Sequence, residues 1–410
     1  MTCSSTRAAR VPAAGVRRLT ATLYGYTFLN DLVLLYPVYA LLFADTGLSL
    51  HQISSLFALW SLTGVLVEIP SGAWADAVSR RLLLWLGPLL GAAGFALWTL
   101  LPSYGAFAAG FVLWGVHGAL GSGALEALVH DELDRLGAAG RYARVMGRAR
   151  AAGLAGVMAA MGLAGPALAL GGYGAVGLAS VLTCLLTAAV AARFPEHRTR
   201  DEEGGGEGNG GAGWGVALRS GLAEARADRS VRGALLLVPA VTAVWGALDE
   251  YTPLLARDTG VADGTVPWLL LLVSAGTTAG GLLSGAGERL GGAGLAGLLA
   301  GSALALAAGA AAGTPAAVAL VALAFGGFQL ASVLADARLQ RRIEGTGRAT
   351  LTSVAGVGTD LATVAVYGAY AVTASAVPHG TAFALFAVPY LVTALLLVAG
   401  RPAGRGRRGA

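Results

Sequence analysis

The chain of 410 residues contains no lysine; all 28 of its basic side chains are arginine. Charge of either sign is scarce, at 12% of residues, against ~25% in an ordinary soluble domain. There are 2 cysteines, Cys3 and Cys184, too few for a disulfide framework or a thiolate metal cluster. The 5 histidines are scattered without ligand spacing. No Ser/His/Asp set, metal-ligand cluster or phosphate-cradling loop is present, which excludes the common hydrolytic, metal-assisted and nucleotide-dependent chemistries. The chain therefore reads as a non-enzyme without a cofactor. What remains is apolar: 56% hydrophobic residues and 62 glycines, with a mean hydropathy of +0.68.

A bilayer core ~30 Å thick needs ~20 mostly apolar residues per spanning helix. Twelve such stretches are present, roughly 19–43, 52–75, 81–101, 104–129, 146–168, 173–193, 233–256, 267–287, 292–312, 315–337, 350–373 and 380–400. The first follows Arg17 and Arg18, as a secretory leader would. It is too long for an h-region, carries Asn30 and Asp31, and lacks a small-residue cleavage site, so it reads as a retained span. Every arginine except Arg257 falls before the first span, after the last, or in the even-to-odd loops and the span ends that border them. Positive charge is retained in short cytoplasmic loops, so both termini are expected in the cytoplasm. The formal net charge of +5 follows from that asymmetry and calls for no nucleic-acid partner. Arginine-only, Ala- and Gly-rich usage points to a GC-rich bacterial genome, hence to the bacterial inner membrane.

The expected organisation is a tail over 1–18, a six-span unit over 19–193, a linker over 194–231, a second six-span unit over 232–400, and a basic tail over 401–410. Residues 204–213 are mostly glycine after Glu202 and Glu203, a composition that cannot bury a core. Beyond them Trp214, Leu218, Leu222 and Ala225 recur at helical spacing, as in a short helix on the membrane surface. The two units echo each other. Leu41 to Gly47 ends in Asp45-Thr46-Gly47 and Leu254 to Gly260 in Asp258-Thr259-Gly260; Asp131 after the fourth span answers Asp336 after the tenth; Ser71-Gly72-Ala73 with Asp76 answers Ser284-Gly285-Ala286 with Glu288. Three matches in corresponding places indicate parallel repeats.

The loop after the second span, Gly72-Ala73-Trp74-Ala75-Asp76-Ala77-Val78-Ser79-Arg80-Arg81, resembles the G-x-x-x-D-[RK]-x-G-[RK]-[RK] signature of the major facilitator superfamily, with Ala77 and Ser79 as departures. The stretches Glu68-Ile69-Pro70-Ser71 and Ser122 to Leu133 resemble a bacterial branch of it. The resemblance implies an all-α membrane protein of twelve helices in two parallel six-helix repeats. It implies that spans one, four, seven and ten line a central path, with two, five, eight and eleven beside them. It also implies that the loop with Gly72, Asp76, Arg80 and Arg81 holds the outward-facing state closed on the cytoplasmic side. Glu68 and Glu126 lie near that end, with Arg148 nearby, and read from their positions as an inner-gate charge network. Gly153, Gly162, Gly165-Pro166 and Gly171-Gly172 on the fifth span resemble the glycine-proline motif of the family's antiporters. Trp114 stands where many drug–proton antiporters carry arginine.

A charge at mid-bilayer costs ~2.5–3.5 kcal/mol on insertion scales. Asp31, Asp249 and Asp360 lie well inside the first, seventh and eleventh spans; Asp31 is roughly 21 Å along the axis from Asp45. Tyr24, Thr27 and Asp31 share a helix face, as do Trp245, Asp249 and Thr252, and as do Ser353, Gly356, Asp360 and Thr363. These acids are candidate proton or cation sites, with Asp31 and Asp249 foremost, while Glu250 is expected to point elsewhere. His117, one turn from Trp114, is a further candidate for proton transfer. Tyr24, Trp245 and Gln329 are candidates to line a binding cavity. The expected function is proton-coupled efflux of a small amphipathic or cationic molecule by a monomer in the lipid bilayer. Proton-coupled import of a metabolite and a transporter-like membrane sensor stay open as alternatives.

Overall fold

The computed structural model describes residues 13–197, 229–342 and 348–399, and for 13, 68–77, 229–230 and 348–350 the backbone alone. The two tails and the surface helix expected near Trp214 lie outside the described residues. Every span that hydropathy delimits is helical, and several are interrupted. The first consists of α1 (Ala13–Asp31) and α2 (Tyr39–Asp45), the second of α3 (Leu50–Ala77), the third of α4 (Arg80–Leu100). The fourth is α5 (Tyr104–Gly121) and α6 (Ala124–Arg135), separated at Ser122 and Gly123. The fifth and sixth form one continuous element, α7 (Tyr142–Ala191), turned back on itself at Gly171 and Gly172; Gly172 has φ 60 and ψ −158, which suits a residue without Cβ.

The second half follows with α8 (Arg229–Asp249) and α9 (Thr252–Asp258) as the seventh span, and α10 (Val266–Leu282) and α11 (Ser284–Gly287) as the eighth. Then come α12 (Gly292–Ala312), α13 (Val318–Arg342), α14 (Arg348–Ala376), and the twelfth span as α15 (His379–Leu385) with α16 (Val388–Ala399). Among the described residues 9 helices are long and apolar enough to cross a bilayer. One of these, α7, carries two spans. The first span is broken at 32–38 and the eleventh is diluted by Thr359, Asp360 and Thr363. Leu66, Leu170, Leu282, Leu323 and Leu395 are exposed, which suits a surface solvated by acyl chains.

The repeat is visible in the caps. α2 and α9 are both 7-residue helices, and they end at Gly47 with φ 86 and at Gly260 with φ 84. The left-handed glycine terminates each helix at the same place in the motif. Where the first span breaks, the orphaned Leu35 N–H donates to the buried Ser180 hydroxyl at 3.0 Å, so the interruption carries no unpaired donor there.

The halves are joined unevenly. One apolar core runs through the second half and continues into the arginine-poor end of the first, through Tyr39, Phe43, Phe57, Phe95 and Phe111. A separate core holds the arginine-rich end of the first half alone, with Leu19, Leu23, Leu84, Leu128 and Phe194. Within the second half the eighth and tenth spans touch through their backbones. A Cβ at Gly276 or Gly280 would land on the carbonyl oxygens of Ala322 and Gly326.

Candidate substrate and coupling site

The arginine-poor end is sealed between the halves. Arg257 Nη1 lies 2.6 Å from Asp45 Oδ1, and the Tyr173 hydroxyl donates to Asp45 Oδ2 at 2.6 Å. Deeper, Ser54 and Tyr251 share a buried hydrogen bond of 2.6 Å. The Phe57 ring packs edge-on to Tyr251 at 5.3 Å and tilted against Tyr367 at 5.6 Å. On the fifth span, Gly165 lets the chain approach Gly264 and Trp268 of the second half.

Beneath the seal the halves part. A cavity of about 490 Å³ lies among spans two, four, seven and eleven, lined by Trp60, Trp114, Ser122, Glu250, Asp360 and Tyr367 among others. A second, of about 220 Å³, lies among spans one, four, five, seven and eight, with Tyr36, Trp114, Met161, Asp249, Glu250 and Ser274 on its wall. Among the described residues no basic side chain lines either. Trp114 and Glu250 line both. Trp114 is stacked between Trp60, at 4.8 Å and 18°, and Tyr36, at 5.0 Å and 19°.

Of the residues singled out by sequence, Asp249 lines the smaller cavity and Asp360 the larger. Asp31 lines neither. It accepts a hydrogen bond from Asn30 at 3.1 Å, and its carboxylate fills the space a side chain at Gly153 would need. The polar face Thr27–Asp31 is thus turned to the glycines of the fifth span. His117 is turned to the third span, where its Nδ1 occupies the room beside Gly87 and has no hydrogen-bond partner among the described residues. Tyr24 packs on the arginine-rich core of the first half. Trp245 donates from Nε1 to Ser332 Oγ at 3.1 Å and stacks edge-on to Phe325. Gln329 lies against Gly281.

Glu250, expected from helical periodicity to point elsewhere, lines both cavities. α8 ends at Asp249 and α9 starts at Thr252, so the 3.6-residue register stops one residue before Glu250. Its side chain then turns into the space between the halves. Among the described residues Glu250 makes no hydrogen bond or ion pair.

A sequence model described as the Major Facilitator Superfamily matches residues 22–367. The chain belongs to the major facilitator superfamily. It is a transporter, not an enzyme. No curated protein sequence matches it. Solved structures of other transporters share the fold. The nucleoside transporter NupG superposes with a TM-score of 0.73 at 12% identity, covering 94% of this chain and 98% of that one. A D-xylose-proton symporter gives 0.65 at 16%, with 96% and 99% covered. A bacterial homolog of the human lysosomal transporter Spinster, inward-facing and unoccupied, gives 0.63 at 17%, with 94% of each chain covered.

In this superfamily member the signature loop joins α3 to α4. The side chains of Glu68 and Asp76 lie outside the described residues, and the backbone of Glu68, Gly72 and Asp76 belongs to α3. Arg80 pairs with Asp131 at the end of the fourth span, and its backbone N–H donates to Glu196 at 2.7 Å. Arg81, Glu126 and Arg148 are exposed, and among the described residues no ion pair joins them. The charge network at this end runs instead through Glu132, which accepts from Arg135 at 2.9 Å and from His197 at 2.9 Å. In the second half Arg338 donates to the Leu290 and Gly291 carbonyls. There too an arginine ties the loop between the second and third spans of the unit to its fourth, with the arginine on the opposite side of the contact.

Proposed function

We propose that this chain is a secondary transporter that exports a small amphipathic or cationic molecule in exchange for protons. It would act as a monomer in the bacterial inner membrane, with both termini and the arginine-rich end in the cytoplasm. The observation that carries this reading is the composition of the space between the halves: carboxylates and aromatic rings, with no basic side chain among the described residues. A buried carboxylate surrounded by low dielectric favours either a proton or a cationic partner. If one carboxylate cannot hold both at once, downhill protons drive uphill cargo. The two six-span units, 19–193 and 232–400, would rock about the cavities to expose them alternately, and the arginine-poor seal corresponds to the inward-facing arrangement.

Asp249 and Asp360 are the proposed ion-loading acids among those expected from sequence. Asp31, against Gly153, is assigned to the packing of the first and fifth spans. Everted vesicles supply the test: energised export accumulates cargo inside them, whereas a symporter importing a metabolite releases it. Asp249→Asn should abolish coupled movement at unchanged protein abundance. Asp31→Asn should retain it. Unchanged transport in Asp249→Asn and Asp360→Asn alike would remove these carboxylates from the mechanism.

A further inference from the structure

Two structural facts coincide at the boundary between the cavities. The rings Trp60, Trp114 and Tyr36 form a continuous stack, with centroid separations of 4.8 Å and 5.0 Å. Trp60 lines the larger cavity, Tyr36 the smaller, and Trp114 both. Glu250 alone among the acids also lines both, without a hydrogen-bond or salt-bridge partner among the described residues. One row of π faces and one carboxylate therefore run side by side from one cavity to the next.

Aromatic faces attract organic cations, most strongly where water is displaced. An unpaired carboxylate in the interior needs a positive partner or a proton. The titratable groups facing Glu250 are Tyr36 and Tyr39 from the first span, Asp249 and Tyr251 from its own, and Asp360 and Tyr367 from the eleventh. All of these are neutral or negative, and none supplies the positive charge. The second, fourth, fifth and eighth spans present Trp60, Trp114, Met161 and Ser274 there.

We propose that the two cavities are successive stations for one planar organic cation, that Glu250 is its counter-ion in both, and that a proton and the cation exclude one another on this carboxylate. The inference rests on the transport reading above and narrows its substrate class and coupling residue. When the cation arrives at neutral Glu250, the carboxyl O–H bond breaks. The proton leaves to water in the larger cavity, and the carboxylate keeps the electron pair and faces the cation. Return of a proton reverses the exchange, so charge is conserved at the site.

The test uses the full chain in nanodiscs and ethidium as a planar fluorescent cation. Its affinity should fall about tenfold per unit of acidification in the range where Glu250 takes up a proton, as linkage of one proton requires. Glu250→Gln should weaken binding and flatten that slope. Glu250→Asp should keep the slope, and matching size-exclusion profiles separate loss of the carboxylate from loss of the fold. Trp114→Ala should weaken binding at every pH with the slope intact, and Asp31→Asn should behave as the parent. An unchanged slope in Glu250→Gln overturns the proposal. So does equal binding of neutral phenanthridine, or binding of neither probe. Ethidium binding with the proton-linked slope but without counterflow in liposomes would sink the transport reading alone. Counterflow of a neutral solute without ethidium binding would keep transport and sink this assignment.

Discussion

Arg257 and Asp45 hold the two halves together at the arginine-poor end, with Nη1 2.6 Å from Oδ1. Arg257 is the one arginine that the charge asymmetry leaves on that side. The exception to the topology rule is thus the residue that forms the cross-half ion pair. Both partners are partly exposed, at 30% and 38%, which limits such a pair to about 0.2–1 kcal/mol.

Arg257→Gln should therefore shift the balance toward an opening at this end by no more than roughly fivefold. Spin labels at Thr46 and Thr259, with Cys3 and Cys184 replaced by serine, read the change as a growing long-distance population. A distribution identical to that of the parent would show that Asp45 and Arg257 do not latch the halves.

Ser180→Ala removes the acceptor that the Leu35 N–H has in the break of the first span. A buried unsatisfied donor costs ~1–3 kcal/mol. Thermal unfolding in detergent should show a clear fall in Tm, and Ser180→Thr, which keeps a hydroxyl, should recover part of it.

Gly280→Ala places a methyl against the Gly326 carbonyl and must push the eighth and tenth spans apart. Overpacking of this kind costs ~1–3 kcal/mol. Gly285→Ala, where a Cβ meets nothing within 4 Å, is the matched control and should leave the melting curve where it was.

Gly47→Ala and Gly260→Ala should destabilise alike. Each forces a side chain into a left-handed cap, at φ 86 and φ 84, and such strain costs ~1–2 kcal/mol. A large loss at one and none at the other would argue against equivalent caps in the two units.

The span pattern was legible because apolar length and loop arginines are one-dimensional signals. The Asp45-Thr46-Gly47 and Asp258-Thr259-Gly260 echoes were legible for the same reason, and each marks a glycine-capped helix end. Facing was harder to read. Thr27 and Asp31 do share a helix face, but periodicity cannot say which neighbour that face meets, and it meets Gly153. His117 is one turn from Trp114 yet turns to Gly87, since a helix within a bundle has neighbours on every side. Glu250 escaped because the register stops at Asp249. Asp249 was legible as an intramembrane acid, but the facing of Glu250 can be read only once the helix is seen to restart at Thr252.

The interrupted spans give the molecule two mechanical tiers. Contacts of backbone on backbone, as at Gly280 and Gly326, leave the eighth and tenth spans no slack. The short helices α2 and α9 sit beyond non-helical joints and carry both partners of the Arg257–Asp45 pair. A compliant mouth is thereby mounted on a stiff barrel, and the far exit can loosen by hinging two stubs before the bulk of either half turns.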